Sequence, residues 1–399
     1  MAGPESRGRT DDAEDAGHLD LERTRELFEA STDFTIGLEE EFAIVDPETL
    51  ELRNGFEDLY AACLRDELLA ESAAGELISS EIEIRSGRAE RFSEAVDLQR
   101  ERRQRLFALA DGMGLALAAT GTHPWANYLD QEIIDTAHYN RLRSELRWVA
   151  QRNNTWSLHV HVGIRGVNRA VAVCDHLRGV LPALLAVSAN SPFLDGRDTG
   201  LHSVRTEIFT RVFPRCGIHE PFGSWAAYAD FIDLLVQTNS IVEATQLWWS
   251  VRPHHTFGTV ELRICDAQTR GDESFALAAL IAACIAQTAL DLDAGRLPAP
   301  LRQREVEENL WRAIRHGMDG TLIDFERREE VPAARVVETL LDWTAPARDA
   351  LGLDVDLPED NGAQRGRAAL AAGSSIEAIY REAVAETQRT YVPEGVSTR

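Results

Sequence analysis

The sequence predicts an α+β fold in which a mainly antiparallel sheet carries the functional site and helices pack on the back of the sheet. Two observations predict this fold. Short segments of alternating polar and apolar residues recur through the first two thirds of the chain and contain paired glutamates and histidines. Longer segments of helical character lie between them, and the C-terminal third, from about residue 298, is helical throughout.

Alternation and turn residues predict five strands. The first, Thr35–Val45, is apolar at both ends and acidic at its centre, and an Asp-Pro-Glu turn follows it. The other predicted strands are Leu77–Ile84, Leu115–Gly121, Ser157–Ile164 and Thr259–Cys265. The predicted helices are 19–30, Ser93–Asp111 with Ser93 as N-cap, Arg169–Ala189 with a kink at Pro182, Ser224–Gln237, Asp272–Asp293, Glu305–His316, Ala333–Thr344 and Ser375–Thr387.

The chain is expected to divide into three parts. Residues 1–32 form an N-terminal extension that is partly disordered, because its first part has few residues to bury. Residues 33–390 form a single catalytic domain, and residues 391–399 form a tail.

The composition limits the classes of partner. The 399 residues are 44% hydrophobic, and 41 basic against 66 acidic residues give a net charge of −25. This charge repels nucleic acid and anionic membranes, so we expect neither as a partner, whereas a nucleotide can still bind through a metal ion. We expect small-molecule substrates, and the sequence leaves open whether the protein forms a homo-oligomer.

The cysteines and the apolar segments predict a cytoplasmic protein. Five cysteines without a CxxC pair favour reduced thiols over a disulfide framework or a zinc ribbon. Residues 1–20 lack the apolar segment of a secretory signal. The longest apolar run, Phe275–Leu290, is short for a membrane span and better suits a buried helix.

Two acidic strands predict a cation site. Side chains alternate along a strand, so Glu39 and Glu41 point to the same face of an otherwise apolar segment. Unpaired carboxylates are costly to bury, which favours a metal ion between them over an exposed acidic surface. Glu81 and Glu83 repeat the pattern, Glu76 precedes them, and carboxylates from several strands suit Mg²⁺.

Histidines and arginines complete the candidate site. His159 and His161 share one strand face, either as metal ligands or as a hydrogen-bonded surface pair. Glu261 and Arg263 share another, either as a metal carboxylate beside a phosphate-binding guanidinium or as a surface ion pair. Arg252 offers a second positive contact. A Gly- and Asp-rich loop carries Arg197 and Arg205, which either bind an anion or anchor the loop.

These motifs, in this order, resemble the carboxylate–amine ligases of the glutamate–cysteine ligase type 2 family. The resemblance is carried by GLEEEF, EIEI, GTHP, HVHVG, ANSPFLDGRDTG, FGSW, LWWSVRP and TVELRICD, between about residues 35 and 387. The resemblance implies a fold related to that of glutamine synthetase. It also implies ATP as co-substrate and two or more Mg²⁺ ions, with Mn²⁺ as an alternative.

The resemblance also implies roles for individual residues. Glu261 and Arg263 would be catalytic, Arg252 and Arg263 would face the ATP phosphates with His161 beside them, and the loop arginines Arg205 and Arg197 would hold the substrate. One metal ion would be held by Glu39, His159 and Glu261, and the other by Glu41, Glu76 and Glu83.

The implied reaction is ATP-dependent ligation of glutamate with cysteine through an acyl phosphate, which must be kept from water. A different amino acid or amine is the first alternative, and a guanidino phosphotransferase on the same fold is the second. A zinc hydrolase that uses the histidine pair and a non-catalytic binding protein are the remaining alternatives.

Overall fold

A computed structural model of the protein describes residues 19–392. The predicted disorder of the first residues and most of the predicted tail therefore lie outside the described part of the chain. The strands, in chain order, are β1 (Ile36–Val45), β2 (Ala73–Ala74), β3 (Glu81–Arg85), β4 (Ala116–Ala118), β5 (Ser157–Gly163), β6 (Phe193–Leu194), β7 (Arg197–Asp198), β8 (Cys216–Gly217), β9 (Trp248–Trp249), β10 (Val251–His254), β11 (Thr259–Asp266), β12 (Thr321–Asp324) and β13 (Glu329–Pro332).

Helices account for most of the remaining described chain. They are α1 (Leu21–Ala30), α2 (Phe56–Cys63), α3 (Phe92–Gly112), α4 (Ala137–Leu146), α5 (Val167–Leu177), α6 (Leu181–Ser188), α7 (Val204–Val212), α8 (Trp225–Gln237), α9 (Gly271–Asp293), α10 (Gln303–His316), α11 (Ala333–Leu351), α12 (Gly362–Ala371) and α13 (Ile376–Tyr391).

A seven-stranded sheet forms the centre of the molecule. Its strand order is β10-β11-β5-β1-β3-β2, and β4 pairs with the far end of β1. Each of these pairings is antiparallel, as predicted. The three strands predicted to carry the paired polar residues after β1, namely β3, β5 and β11, are therefore neighbours or next neighbours of β1.

The two faces of the sheet have different roles. Apolar side chains such as Leu38, Val160 and Leu262 point to the helical side and join a core that includes α5, α6 and α9. Alternation places Glu39, Glu41 and their partners on the opposite face. The expected arrangement of a sheet with helices on its back is confirmed.

Glu40 also points to the helical side, where its carboxylate is buried. Arg103 of α3 donates a hydrogen bond from Nε to Glu40 Oε2 at 2.6 Å, and Gln99 donates to the same oxygen at 3.0 Å. Ser274 of α9 donates to Oε1. The Arg103 guanidinium lies over the Phe275 ring, 3.7 Å from its centroid. Glu40 thus ties the sheet to α3 and α9 and does not reach the opposite face.

α9 is a long apolar helix of 23 residues. By length and composition alone it could cross a membrane, but 83% of its most apolar window is buried inside the protein. Burial of this kind is typical of the central helix of a folded domain. The interpretation of Phe275–Leu290 as a buried helix is confirmed.

Several element predictions need correction. The helix predicted over 169–189 is two helices, α5 and α6, bent by 62° just before Pro182. The strand predicted over 77–84 begins only at Glu81, and Ser93 is not the N-cap of α3, because the helix begins at Phe92. Four helices were not predicted: α2, α4, α7 and α12. Part of the predicted N-terminal extension is packed, since Phe28 of α1 is buried in the main core.

Candidate active site

Strand register brings the predicted residues together on one face of the sheet. Glu39 lies opposite His159, and Glu41 lies opposite Glu83. On β11, Glu261 lies opposite His161. Since β5 separates β1 from β11, residues more than 200 positions apart in sequence meet across three adjacent strands.

A bulge in β11 adjusts the position of Arg263. The pairing of β11 with β5 shifts register between Leu262 and Cys265, so that Cys265 lies opposite Leu158. The shift leaves one extra residue on β11, and such bulges are common next to functional sites, where they re-aim a side chain. The Nη1 atom of Arg263 lies 3.3 Å from Nδ1 of His159.

Three groups of side chains could each hold a metal ion. The ligand atoms within each group lie within 4.8 Å of one another. The groups are Glu39 with His161 and Glu261, Glu39 with Glu83 and His159, and Glu41 with Glu76 and Glu83.

The two histidines belong to different candidate metal groups. His159 is engaged on both ring nitrogens, since Nε2 lies 2.7 Å from Ser157 Oγ and Nδ1 lies 3.2 Å from Glu39 Oε2. His161 Nε2, in contrast, is buried without a hydrogen bond, 3.3 Å from Glu39 Oε1 and 3.8 Å from Glu261 Oε1. The geometry therefore groups His161, which was expected beside the phosphates, with Glu39 and Glu261, where His159 was expected.

The third group, Glu41 with Glu76 and Glu83, consists of carboxylates alone. Burial, reinforced by the charge of Glu83, raises the pKa of Glu41 to about 7. Burial and the charges of Glu83 and Glu41 raise the pKa of Glu76 well above its usual value. Glu81 Oε2, nearby in the same cavity, is buried without a hydrogen-bond partner. Carboxylates that repel one another in this way fit a divalent cation.

Glu261 is instead held between two guanidinium groups. Arg252 donates a hydrogen bond from Nε to Glu261 Oε2 at 2.6 Å, and Arg263 donates to Oε1. Although burial raises the pKa of Glu261, Arg252 and Arg263 outweigh this effect and hold the pKa well below its usual value. Glu261 is therefore ionised in the metal-free protein, with two positive groups beside it.

The two loop arginines lie in different places. Arg205, on α7, lines the cavity, and its guanidinium donates hydrogen bonds to the carbonyl oxygens of Ile264, at 3.0 Å, and Arg263, at 3.2 Å. Its Nε is buried without a partner. Arg197 is exposed on β7 and does not line the cavity, so the structure does not bring it together with the other candidate site residues. It sits at a two-residue hairpin whose neighbouring Asp198 pairs with Arg367.

Some residues of the site were not predicted. Arg85 is bound to Glu83 at 2.5 Å, and Ser157 donates hydrogen bonds to Glu41 from its backbone N–H and its hydroxyl, at 2.6 and 2.7 Å. Continued alternation would have found both, since Arg85 follows Glu83 by two residues and Ser157 precedes His159 by two. Tyr139 of α4 also lines the cavity, and no sequence signal pointed to it.

The glutamates of the three groups line one cavity of about 310 Å³, together with Arg85, Arg205, Arg252 and Arg263. Acidic residues and arginines line the sheet side, and apolar residues line another wall. The apolar lining consists of Leu77, Leu142, Leu146, Phe209, Phe213 and Trp248. The arrangement places candidate metal ligands, guanidinium groups and an apolar wall within reach of a single bound ligand.

Comparison with known proteins identifies the family. Residues 35–367 match the Glutamate-cysteine ligase family 2. The chain belongs to this family. A protein from Rubrobacter xylanophilus named "Putative glutamate--cysteine ligase 2-2" is 38% identical over 364 residues, 90% of this chain and 92% of that protein. A "Putative glutamate--cysteine ligase 2" from Sorangium cellulosum is 39% identical over 361 residues, 89% of this chain and 96% of that protein.

Solved structures share the fold of this family member. A bifunctional glutathione synthetase from Pasteurella multocida superposes with a TM-score of 0.65 at 12% identity, over 92% of this chain and 53% of that chain. A glutamate–cysteine ligase from Francisella tularensis, in complex with AMP, gives a TM-score of 0.62 at 11% identity, over 90% of this chain and 89% of that chain. At these identities the likeness establishes the fold alone.

Proposed function

We propose that this protein is an ATP- and Mg²⁺-dependent ligase that joins the γ-carboxylate of glutamate to the amino group of cysteine. The observation that carries the proposal is the meeting of three candidate metal groups with Arg252 and Arg263 in one cavity. Family membership supports ligase chemistry. The proposal includes a catalytic fold of the glutamine synthetase type and a cytoplasmic location, where ATP and reduced thiols are available.

The donor atoms fit divalent cations. The carboxylate group of Glu41, Glu76 and Glu83 offers only oxygens, which Mg²⁺ prefers. The groups that include His159 or His161 add an imidazole nitrogen, so Mn²⁺ is the natural alternative there. The metal, when bound, would supply positive charge to the phosphates of the nucleotide.

The arginines act where negative charge develops. Arg263 and Arg252 lie on the sheet face beside Glu261, and both line the cavity. Guanidinium groups placed there would stabilise the transferring phosphoryl group. Arg205 has a buried Nε without a partner, and a substrate carboxylate would satisfy it.

The proposed reaction has two steps. An oxygen of the γ-carboxylate attacks the γ-phosphorus of ATP, the bond to ADP breaks, and an acyl phosphate forms. The cysteine nitrogen then attacks the acyl carbon and loses a proton, and phosphate leaves with one oxygen of the original carboxylate. The acyl phosphate must be kept from water until the amine attacks it.

A second candidate is a ligase of the same chemistry that uses a more apolar amine. The apolar wall formed by Leu142, Leu146, Phe209 and Phe213 is larger than the side chain of cysteine requires. This wall would accept an aliphatic or aromatic amine, and the two candidates differ only in the acceptor.

Product analysis tests both candidates. The protein is incubated with ATP, Mg²⁺, glutamate and either cysteine or a panel of amines, and mass spectrometry follows ADP and amide. A γ-glutamylcysteine product that is lost in Glu261→Gln and kept in Arg197→Ala supports the first candidate. Amide formation only with an apolar amine supports the second. Absence of ATP turnover with every pair would contradict both and favour a binding protein.

A further inference from the structure

His138 lines the acidic cavity, the space of about 310 Å³ that the candidate metal groups also line, but it belongs to none of those groups. It lies in the first turn of α4, the helix that also brings Leu142 and Leu146 to the cavity. Residues four positions apart lie on one face of a helix, so these three side chains form a single row. His138 therefore shares a wall with the apolar residues that would receive the acceptor amine.

The second step of the proposed reaction needs a group that accepts a proton. The amine nitrogen becomes positively charged as it bonds to the acyl carbon, and it must lose a proton before a stable amide can form. Histidine is the side chain used most often for such a transfer, because its charge changes near neutral pH.

The other titratable side chains that line the cavity are less suited to accept this proton. Five of the glutamates are candidate metal ligands, and a cation would occupy their lone pairs. Burial and the charge of Glu41 raise the pKa of Glu81 well above its usual value, which favours its protonated form. Burial raises the pKa of Tyr139, whose hydroxyl donates to Gly75 O. Burial lowers the pKa of His254 well below its usual value, so this imidazole is a weak base.

A buried carboxylate lies beside the His138 imidazole. Nδ1 of His138 lies 3.0 Å from Oε1 of Glu243, a buried oxygen that has no hydrogen bond in this geometry. The Gln246 amide fixes the Glu243 segment to α4, since it accepts from Glu243 N at 3.3 Å and donates to Glu145 Oε2 at 2.8 Å. Glu243 can therefore stabilise a positively charged imidazole through Nδ1. Nε2 of His138 has no hydrogen bond to any residue that the structure describes, and it is available to a substrate.

We propose that His138 is the general base of the amide-forming step, with Glu243 as its positioning residue. The inference rests on the proposed function, which supplies the acyl phosphate. As the amine nitrogen bonds to the acyl carbon, Nε2 of His138 takes the proton that the nitrogen loses. The bond between the acyl carbon and the phosphate oxygen breaks, and its electron pair leaves with phosphate. The imidazolium then releases the proton to water.

Acceptors of different basicity test this role in the full chain. Single-turnover amide formation from glutamate and Mg²⁺–ATP is compared with two acceptors, hydroxylamine and cysteine, or the panel amine that the wild type couples fastest if cysteine is not coupled. Hydroxylamine is a weak base, so its positively charged adduct loses a proton to water without help. We expect His138→Gln to slow the reaction with cysteine at least about 100-fold and the reaction with hydroxylamine less than about tenfold. Glu243→Gln should show the same selectivity with a smaller loss.

A matched histidine and an isotope measurement serve as controls. His176→Gln should equal wild type with both acceptors, because His176 is a partly buried histidine on α5 that does not line the cavity. Positional isotope exchange isolates the first step: with glutamate and no amine, reversible formation of the acyl phosphate moves ¹⁸O from the β–γ bridge of ATP to a non-bridging position. His138→Gln should exchange at the wild-type rate, since its role begins when the amine attacks.

Other outcomes separate the inference from the ligase proposal. An undiminished rate with cysteine in His138→Gln would overturn the inference, and so would equal losses with cysteine and hydroxylamine. Loss of isotope exchange in His138→Gln would also overturn it, because His138 would then act on phosphoryl transfer. In each of these cases wild-type exchange and amide formation would leave the ligase proposal intact. A wild type that shows neither exchange nor amide would remove the ligase proposal and the inference together.

Discussion

Substitution of Glu40 by glutamine tests whether Glu40 stabilises the fold while its neighbours Glu39 and Glu41 belong to the candidate metal site. Glu40 and Arg103 are almost fully buried, with side-chain exposures of 5% and 1%. The substitution leaves the Arg103 guanidinium buried without its counter-charge, which typically costs about 3–5 kcal/mol. Since whole domains are stable by only about 5–15 kcal/mol, we expect a large fall in the free energy of unfolding.

The neighbouring Glu41 provides a matched control. Its carboxylate faces Glu83 in the acidic cavity, so Glu41→Gln removes a repulsion and should leave the metal-free protein as stable as wild type or more so. Urea unfolding of both variants, followed by tryptophan fluorescence without divalent metal, gives the comparison. The double variant Glu40→Met with Arg103→Met should recover most of the loss, because both charges are then absent.

Two results would refute this reasoning. One is a Glu40→Gln protein within about 0.5 kcal/mol of wild type, the ordinary effect of a surface substitution. The other is an equal loss of stability in Glu40→Gln and Glu41→Gln, which would mean that both carboxylates serve the same structural purpose.

Four further predictions concern the metal groups and the arginines. The folded-state pKa of Glu41, about 7, lies above its unfolded value of 4.5, so its contribution to metal-free stability is complete below pH 4.5 and lost as pH rises through 7; unfolding titrations across this range check it. Mg²⁺ must displace that proton, so calorimetry should show tighter Mg²⁺ binding at pH 8 than at pH 6, with proton release. Arg263→Lys should lower kcat by about 10²-fold with unchanged circular dichroism, because lysine loses the guanidinium fork. Arg197→Ala should leave kcat and KM unchanged in steady-state assays, because Arg197 is exposed and does not line the cavity.

Each of these predictions has a contradicting result. Mg²⁺ affinity independent of pH would mean that Glu41 is already ionised in the metal-free protein. Absence of a fall in metal-free stability between pH 4.5 and 7, measured relative to Glu41→Gln, would mean the same. Full activity of Arg263→Lys would mean that only the positive charge of Arg263 matters and not its guanidinium geometry. A raised KM in Arg197→Ala would mean that Arg197 contributes to substrate binding.

The alternation of residues in the sequence predicts most of the site residues that lie on the sheet. Alternation alone placed Glu39 and Glu41 on one face, and it did the same for His159 and His161. The exact partners depend on register, which local pattern does not fix: the pairing of His161 with Glu261 follows from how β11 docks on β5. For that reason the histidine in the Glu39–Glu261 group could not be chosen from sequence.

Apart from Arg85 and Ser157, the site residues that the sequence did not predict lie away from the sheet. α4 brings Tyr139 to the cavity, and its sequence has neither a strong apolar period nor an acidic signature. Its position is set by tertiary packing against the segment that precedes β3, where Tyr139 Oη donates to Gly75 O at 2.5 Å. Arg197 shows the opposite problem, because the sequence predicted a site residue that lies on an exposed hairpin instead. An arginine in a loop rich in glycine and aspartate has the same local sequence whether or not its side chain lies in a binding site.

Transfer of oxygen from carboxylate to phosphate tests the central proposal most directly. Glutamate labelled with ¹⁸O in its γ-carboxylate is incubated with the protein, ATP, Mg²⁺ and cysteine, and the released phosphate is analysed by mass spectrometry. Activation of the carboxylate by phosphorylation predicts one ¹⁸O atom in each phosphate formed. Phosphate that carries no label, released at the rate of ADP formation, would contradict the acyl-phosphate mechanism and the ligase assignment of the site.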